Sequence, residues 1–145
     1  MTRRTDHAVK LSEQYDLDAF QQDVNWRAPA FVRDQLRAAG LEDLASVDFW
    51  DEDVRRFYVA SDAGLYVGVF TPRPDIRFDP KLEATVTPWQ NVSGVRLAVT
   101  TEMGDGTVVS VKIDEPAFER STERDRELKP LAEFGKVCLQ RHGRF

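Results

Sequence analysis

Leu82-Glu83-Ala84-Thr85-Val86-Thr87, Val95-Arg96-Leu97-Ala98-Val99-Thr100 and Thr107-Val108-Val109-Ser110-Val111-Lys112-Ile113 carry the reading of the fold. In each, apolar positions recur with the two-residue period of a half-buried strand. Between them stand Asn91-Val92-Ser93-Gly94 and Gly104-Asp105-Gly106, where glycine supplies the positive φ that tight turns need. The three segments predict one antiparallel meander.

Upstream, Arg56-Phe57-Tyr58-Val59-Ala60 and Leu65-Tyr66-Val67-Gly68-Val69-Phe70 flank Ser61-Asp62-Ala63-Gly64, a hairpin pattern that adds two strands. The connection Thr71 to Lys81 holds Pro72, Pro74 and Pro80, which cannot donate to a ladder, so it reads as a loop or irregular edge. Phe31, Val32, Leu36 and Ala39 share a helical face after Pro29, and Gly40 is a natural stop, which predicts a helix over 28–39. Residues 41–53 gather six carboxylates with Leu41, Leu44, Val47, Phe49 and Trp50 and no basic residue. Their spacing lacks the alternating ligands and central glycine of a calcium loop, so the stretch reads as a helix or loop anchored by its aromatics. The first 23 residues are polar with scattered Leu11, Tyr15, Leu17 and Phe20, and Asp18 with Gln21 suggests a capped helix start.

Beyond Asp114-Glu115-Pro116, residues Leu128, Leu131, Ala132, Gly135, Cys138 and Leu139 follow helical spacing. Pro130 predicts a start or kink there, because an interior proline costs about 3 kcal/mol. The expected organisation is one domain, 1–145: an extension over 1–27, a helical segment over 28–54, antiparallel strands over 55–113 and a C-terminal helix over 117–140. The fold class is α+β, a strongly bent antiparallel sheet or partly open barrel of five or more strands, with N-terminal helices and a C-terminal capping helix.

With 145 residues, 41% of them hydrophobic and 31% charged, the chain has the composition of a globular protein rather than a disordered one. The net charge of −5 argues against a general nucleic-acid binder, which needs clustered Lys and Arg. No apolar run reaches the 18 or so residues of a membrane span, and Met1-Thr2-Arg3-Arg4-Thr5-Asp6-His7 does not lead into a secretory core, so the expected location is cytoplasmic. The single cysteine, Cys138, excludes an intramolecular disulfide and reads as a buried structural thiol.

The strand Leu65 to Phe70, the run Ala84-Thr85-Val86-Thr87-Pro88-Trp89-Gln90-Asn91-Val92-Ser93-Gly94-Val95-Arg96-Leu97 and the C-terminal helix together resemble a pleckstrin-homology-like domain of bacterial type, over about residues 55–140. The resemblance implies a scaffold whose members bind phosphoinositides, peptides or proteins. Lipid-binding members place several Lys and Arg in the first hairpin loop, whereas Ser61-Asp62-Ala63-Gly64 has none.

The leading functional expectation is therefore a non-catalytic interaction module that binds a protein or peptide partner through a sheet edge or the proline-rich loop. The candidate surface is Arg73, Arg77, Phe78 and Lys81, positive charge beside an aromatic, with Asp75 and Asp79 as neutralising neighbours. An alternative is contact with an anionic surface or nucleic acid through Arg120, Arg124, Arg126, Lys129, Lys136, Arg141 and Arg144, among which Glu123, Asp125, Glu127 and Glu133 interleave. A carboxylate-based enzyme using the acidic stretch with His7 or His142 ranks third, since no phosphate loop, nucleophile elbow or paired-histidine motif is present. No catalytic residue, metal ligand or cofactor is assigned. Trp89, after Pro88 at a sheet corner, is expected to pack inward with its indole N–H on a carbonyl. The reading leans slightly towards a homodimer.

Overall fold

The structure is a computed structural model that describes residues 28–72, 80–104 and 106–142. The Asp18 capping pattern and most of the proline-rich loop lie outside these residues. The described elements run in the order α1 (Ala28–Ala38), β1 (Asp43–Asp51), β2 (Val54–Ser61), β3 (Gly64–Thr71), β4 (Lys81–Pro88), a short 3₁₀ turn (Trp89–Asn91), β5 (Arg96–Glu102), β6 (Gly106–Ile113), β7 (Phe118–Thr122) and α2 (Asp125–His142). All neighbouring strands are antiparallel. They form a four-stranded sheet, β1-β2-β3-β4, and a three-stranded sheet, β5-β6-β7. The architecture is α+β with a C-terminal helix, and the sheets do not close into a barrel.

The expected meander is divided. β4 pairs with β3, and β5 opens the second sheet with β6. Period-two alternation identifies a strand but not its neighbour. The division is made at the corner that Pro88 begins, where a turn of 3₁₀ helix swings the chain across to the other sheet. Trp89 sits at that corner, 2% exposed, and its indole N–H donates to the Ser61 carbonyl at 2.9 Å. It ties the end of β2 to the crossover between sheets.

Two further expectations are corrected. The helical segment 28–54 is helical only to Ala38, and its acidic part is strand β1, paired with β2 from Asp43 to Asp51. Every residue from Leu44 to Trp50 is half-buried, so β1 lacks the sharp inside-outside contrast that marks an edge strand in a sequence. The C-terminal helix does not begin at 117, because Phe118–Thr122 is strand β7. It begins at Asp125, upstream of Pro130. Thr122 organises this start: its hydroxyl accepts the Arg124 N–H at 3.2 Å and donates to Glu127 at 2.8 Å. Pro130 deprives only the Arg126 carbonyl, in the first turn of the helix, of its helical donor.

The apolar side chains form two layers. The inner core, between the sheets and beneath α2, contains Tyr58, Leu65, Trp89, Val109, Val111, Ile113, Phe118, Leu131, Phe134 and Cys138. The outer core packs Ala28, Val32 and Leu36 of α1 on Phe57, Val59, Tyr66 and Phe70. β2 and β3 are thus covered on both faces, as their near-continuous burial records. The Tyr66 ring lies over Gly68, where a Cβ would fall 2.8 Å from it, and its hydroxyl donates to Gln35 of α1 at 2.8 Å. Gln35 in turn donates to the Leu82 carbonyl at 3.0 Å. Against the inner layer, α2 approaches closely at Gly135, where a Cβ would lie 2.7 Å from Val111 and 3.1 Å from Leu97.

Candidate functional site

Sheets expose function and hazard at their edges, where backbone donors and acceptors lack partners. The four edges of this molecule differ sharply. β4 begins with the Lys81–Glu83 ion pair at 3.3 Å and ends at Pro88, which has no N–H. β1 carries Asp43, Asp48 and Asp51 and is half-buried along its length. Burial raises the pKa of Asp43 against an opposing hydrogen bond from Ser46. Asp48 accepts from Arg55, itself 4% exposed, at 2.7 Å, and Asp51 accepts from Arg56 at 2.9 Å. β7 faces the same side as β1, and Arg120 lies over the Phe49 ring at 4.5 Å across the seam between the two strands.

β5 is different. It pairs with β6 alone, in a register running from Arg96–Lys112 to Glu102–Gly106. Among the described residues its other edge has no strand partner. Between the charged ends stands Leu97-Ala98-Val99-Thr100-Thr101, five residues without lysine, proline or bulge. Only Leu97 is half-buried, held under Gly135 of α2, while Val99 is 61% exposed. Leu139, one turn beyond Gly135 on α2, is 38% exposed, and Met103 after the strand is 98% exposed. Exposed apolar side chains thus stand both on β5 and on the helix that packs over its Leu97 end. Arg96 pairs with Asp114 at 2.9 Å, and Glu102 has no ion pair among the described residues.

Of the expected binding residues only Lys81 lies within the described residues. Lys81 stands at the start of β4, 66% exposed and paired with Glu83, while Arg73, Arg77 and Phe78 lie outside the described residues. The basic residues of the C-terminal region also do not form a uniform face. Arg120 is over Phe49, Arg124 is 3.7 Å from Glu127, and exposed Glu123, Asp125 and Glu133 stand among exposed Arg126, Lys129 and Lys136. Arg144 and His7 lie outside the described residues, and His142 is half-buried at the end of α2.

The cavities are modest. One of about 90 Å³ lies in the β1–β7 seam, lined by Val47, Phe49, Arg120, Thr122, Pro130 and Leu131. A more open one of about 350 Å³ is lined by Asp51, Arg56, Tyr58, Lys112, Asp114 and Phe118. Of its three lining carboxylates, Asp51 and Asp114 are engaged by Arg56 and Arg96, and Glu119 stands opposite Lys112 in the β6–β7 register. Among the described residues no group of three or more His, Cys, Asp or Glu is placed to hold a metal ion. Cys138 is fully buried, and burial pushes its thiol pKa up to about 12, which keeps it protonated and unreactive at neutral pH. No helix of the described residues is long and apolar enough to cross a membrane.

The sequence reading named a sheet edge without saying which one. The distinguishing signal is present in retrospect: of the edge strands, β5 alone has five consecutive uncharged residues free of proline. Comparison with known protein families, with curated proteins and with solved structures gives no match to this chain.

Proposed function

We propose that this protein is a non-catalytic interaction module that takes a protein or peptide partner by strand addition along β5. The observation that carries this reading is the edge from Leu97 to Thr101, which has no strand partner among the described residues and exposes Val99. Backbone hydrogen bonds along β5 supply affinity, and exposed Val99 selects an apolar side chain on the partner strand. The order of four strands, a crossover, three strands and a closing helix supports the resemblance to pleckstrin-homology-like domains. The β1–β2 turn is Glu52-Asp53, so carboxylates occupy the first hairpin where lipid-binding members carry basic residues. That favours a protein partner over a phosphoinositide.

The test is selection of binders from a displayed random-peptide library on the full chain, followed by mapping the bound peptide through backbone amide shifts. The expected result is an extended peptide that perturbs residues 96–102 and Leu139. Selected peptides that perturb only the proline-rich connection, or only the β1–β7 seam, would overturn the assignment to β5.

A further inference from the structure

Strand β5 reads Arg96-Leu97-Ala98-Val99-Thr100-Thr101-Glu102. Its two charged ends have opposite sign and stand three residues to either side of Val99. If two such strands lie antiparallel about a twofold axis at Val99, each Arg96 falls directly opposite the partner's Glu102 on the same face. Opposite charges directly across a ladder stabilise it, and like charges weaken it. In the single chain Arg96 is instead opposite Lys112, and Glu102 is opposite Gly106. Arg96 is already paired with Asp114 at 2.9 Å, so a carboxylate arriving beside it adds a second acceptor next to two basic residues and gives Glu102 a partner.

The other face agrees. Leu97, Val99 and Thr101 share the face on which α2 lies, as the contact of Leu97 with the Gly135 position fixes. In this register Leu97 is opposite the partner's Thr101, so the points where the two α2 helices cross their own strands are separated by four residues along the strand. At about 3.3 Å per residue that is roughly 13 Å. Packed helices need about 8–10 Å between axes, so the two α2 helices are not forced to collide at the points where they cover Leu97. Val99, 61% exposed, stands on that same face, and Leu139, 38% exposed, lies one turn beyond Gly135 on α2.

The geometry points to a second copy of this chain as the occupant of the β5 edge, in the register that sets Arg96 against the partner's Glu102 and joins two three-stranded sheets into one of six. This rests on the strand-addition reading and names its partner. Such an interface is isologous, and it closes at two subunits because each edge is consumed.

The test is light scattering and sedimentation of the full chain over a concentration series. Wild type is expected to dimerise. Arg96→Glu alone and Glu102→Arg alone each set two like-charge pairs across the axis and are expected to weaken association by about tenfold or more. An equimolar mixture of the two variants is expected to restore the dimer, because each mixed pair has complementary ends, whereas a variant that merely folds poorly is not rescued by mixing. A wild-type monomer throughout the series would overturn the proposal. So would a dimer that is indifferent to both variants, or a mixture that associates no better than its components. A labelled synthetic peptide of residues 95–103 separates the two levels of the argument. If wild type is monomeric yet the peptide shifts the amides of β5, strand addition stands and the self-partner fails; if it shifts none, the self-partner fails and the library selection alone decides strand addition.

Discussion

β3 and β5 are alternating strands of eight and seven residues, and each pairs with the strand that follows it in the chain. Yet Leu65, Tyr66 and Phe70 of β3 are essentially sealed, while in β5 only Leu97 is even half-buried. The difference lies in what covers them. β3 has α1 on one face and the inner core on the other, with strands at both edges, whereas β5 has α2 over one end of one face and a single neighbour. The first region is where the molecule keeps its stability, and the second is where it has surface to spend on recognition.

The largest effect that would break this division comes at Trp89, where the two sheets meet. Replacing it with alanine removes a fully buried ring and leaves the Ser61 carbonyl without its indole donor. The expected loss is about 3–5 kcal/mol, read as a lowered denaturation midpoint. A midpoint within experimental scatter of wild type would show that the sheets are held together elsewhere.

Alkaline titration sharpens the contrast. Cys138 in the inner core is raised from 9.0 to about 12 and Tyr66 in the outer core from 10.0 to about 12, in both cases by burial of a group that must stay neutral. For a group whose folded pKa is raised, the contribution is complete below the unfolded pKa and is lost as pH rises towards the folded one. Stability should therefore begin to fall above pH 9 and more steeply above pH 10, at about 1.4 kcal/mol per pH unit for each group. Cys138→Ala should abolish the fall between pH 9 and 10 and reduce the slope above pH 10 by about 1.4 kcal/mol per pH unit, leaving the tyrosine contribution. Persistence of the first limb in that variant would assign it to another group.

How much of this was legible in the chain follows from the same contrast. The hairpin of β2 and β3, the strands β4, β5 and β6, and helix α1 announce themselves through alternation, turn residues and a clear apolar stripe. β1 does not, because Ala45, Val47 and Phe49 face the inner core while the other side of the strand carries Asp48 bonded to buried Arg55. A buried guanidinium looks in a sequence like any surface arginine. Its only trace is the diagonal placing of Asp48 and Arg55 across the β1–β2 hairpin, which is visible only once the pairing is known. β7 fails for a different reason: Phe118 and Thr122 are its only buried residues, too few to set a period. The β5 edge was legible as a strand, but its exposure depends on β4 having gone to the other sheet, and alternation carries no information about partner choice.

A smaller effect is expected where α2 meets the second sheet. Gly135→Ala improves helix propensity, but the added Cβ would meet Val111, a stiff and fully buried side chain, at 2.7 Å. The overpacking outweighs the propensity gain, and a net loss of about 1 kcal/mol should follow. A more stable variant would mean that α2 can lift from β5 and β6 without cost.

The smallest effect on stability should come from the residue with the largest proposed effect on association. Val99→Thr keeps a β-branched side chain at an exposed position, so the unfolding free energy of the isolated chain should stay within about 0.5 kcal/mol of wild type. The measurement has to be made at a concentration where the chain is monomeric, because a bound partner adds apparent stability by mass action. Run again at high concentration, wild type should gain a higher midpoint and the variant less of one. If Val99→Thr instead lowers the midpoint of the monomer by as much as Gly135→Ala, then the face of β5 contributes to the core of its own chain, and the division between the covered sheet and the open edge does not hold.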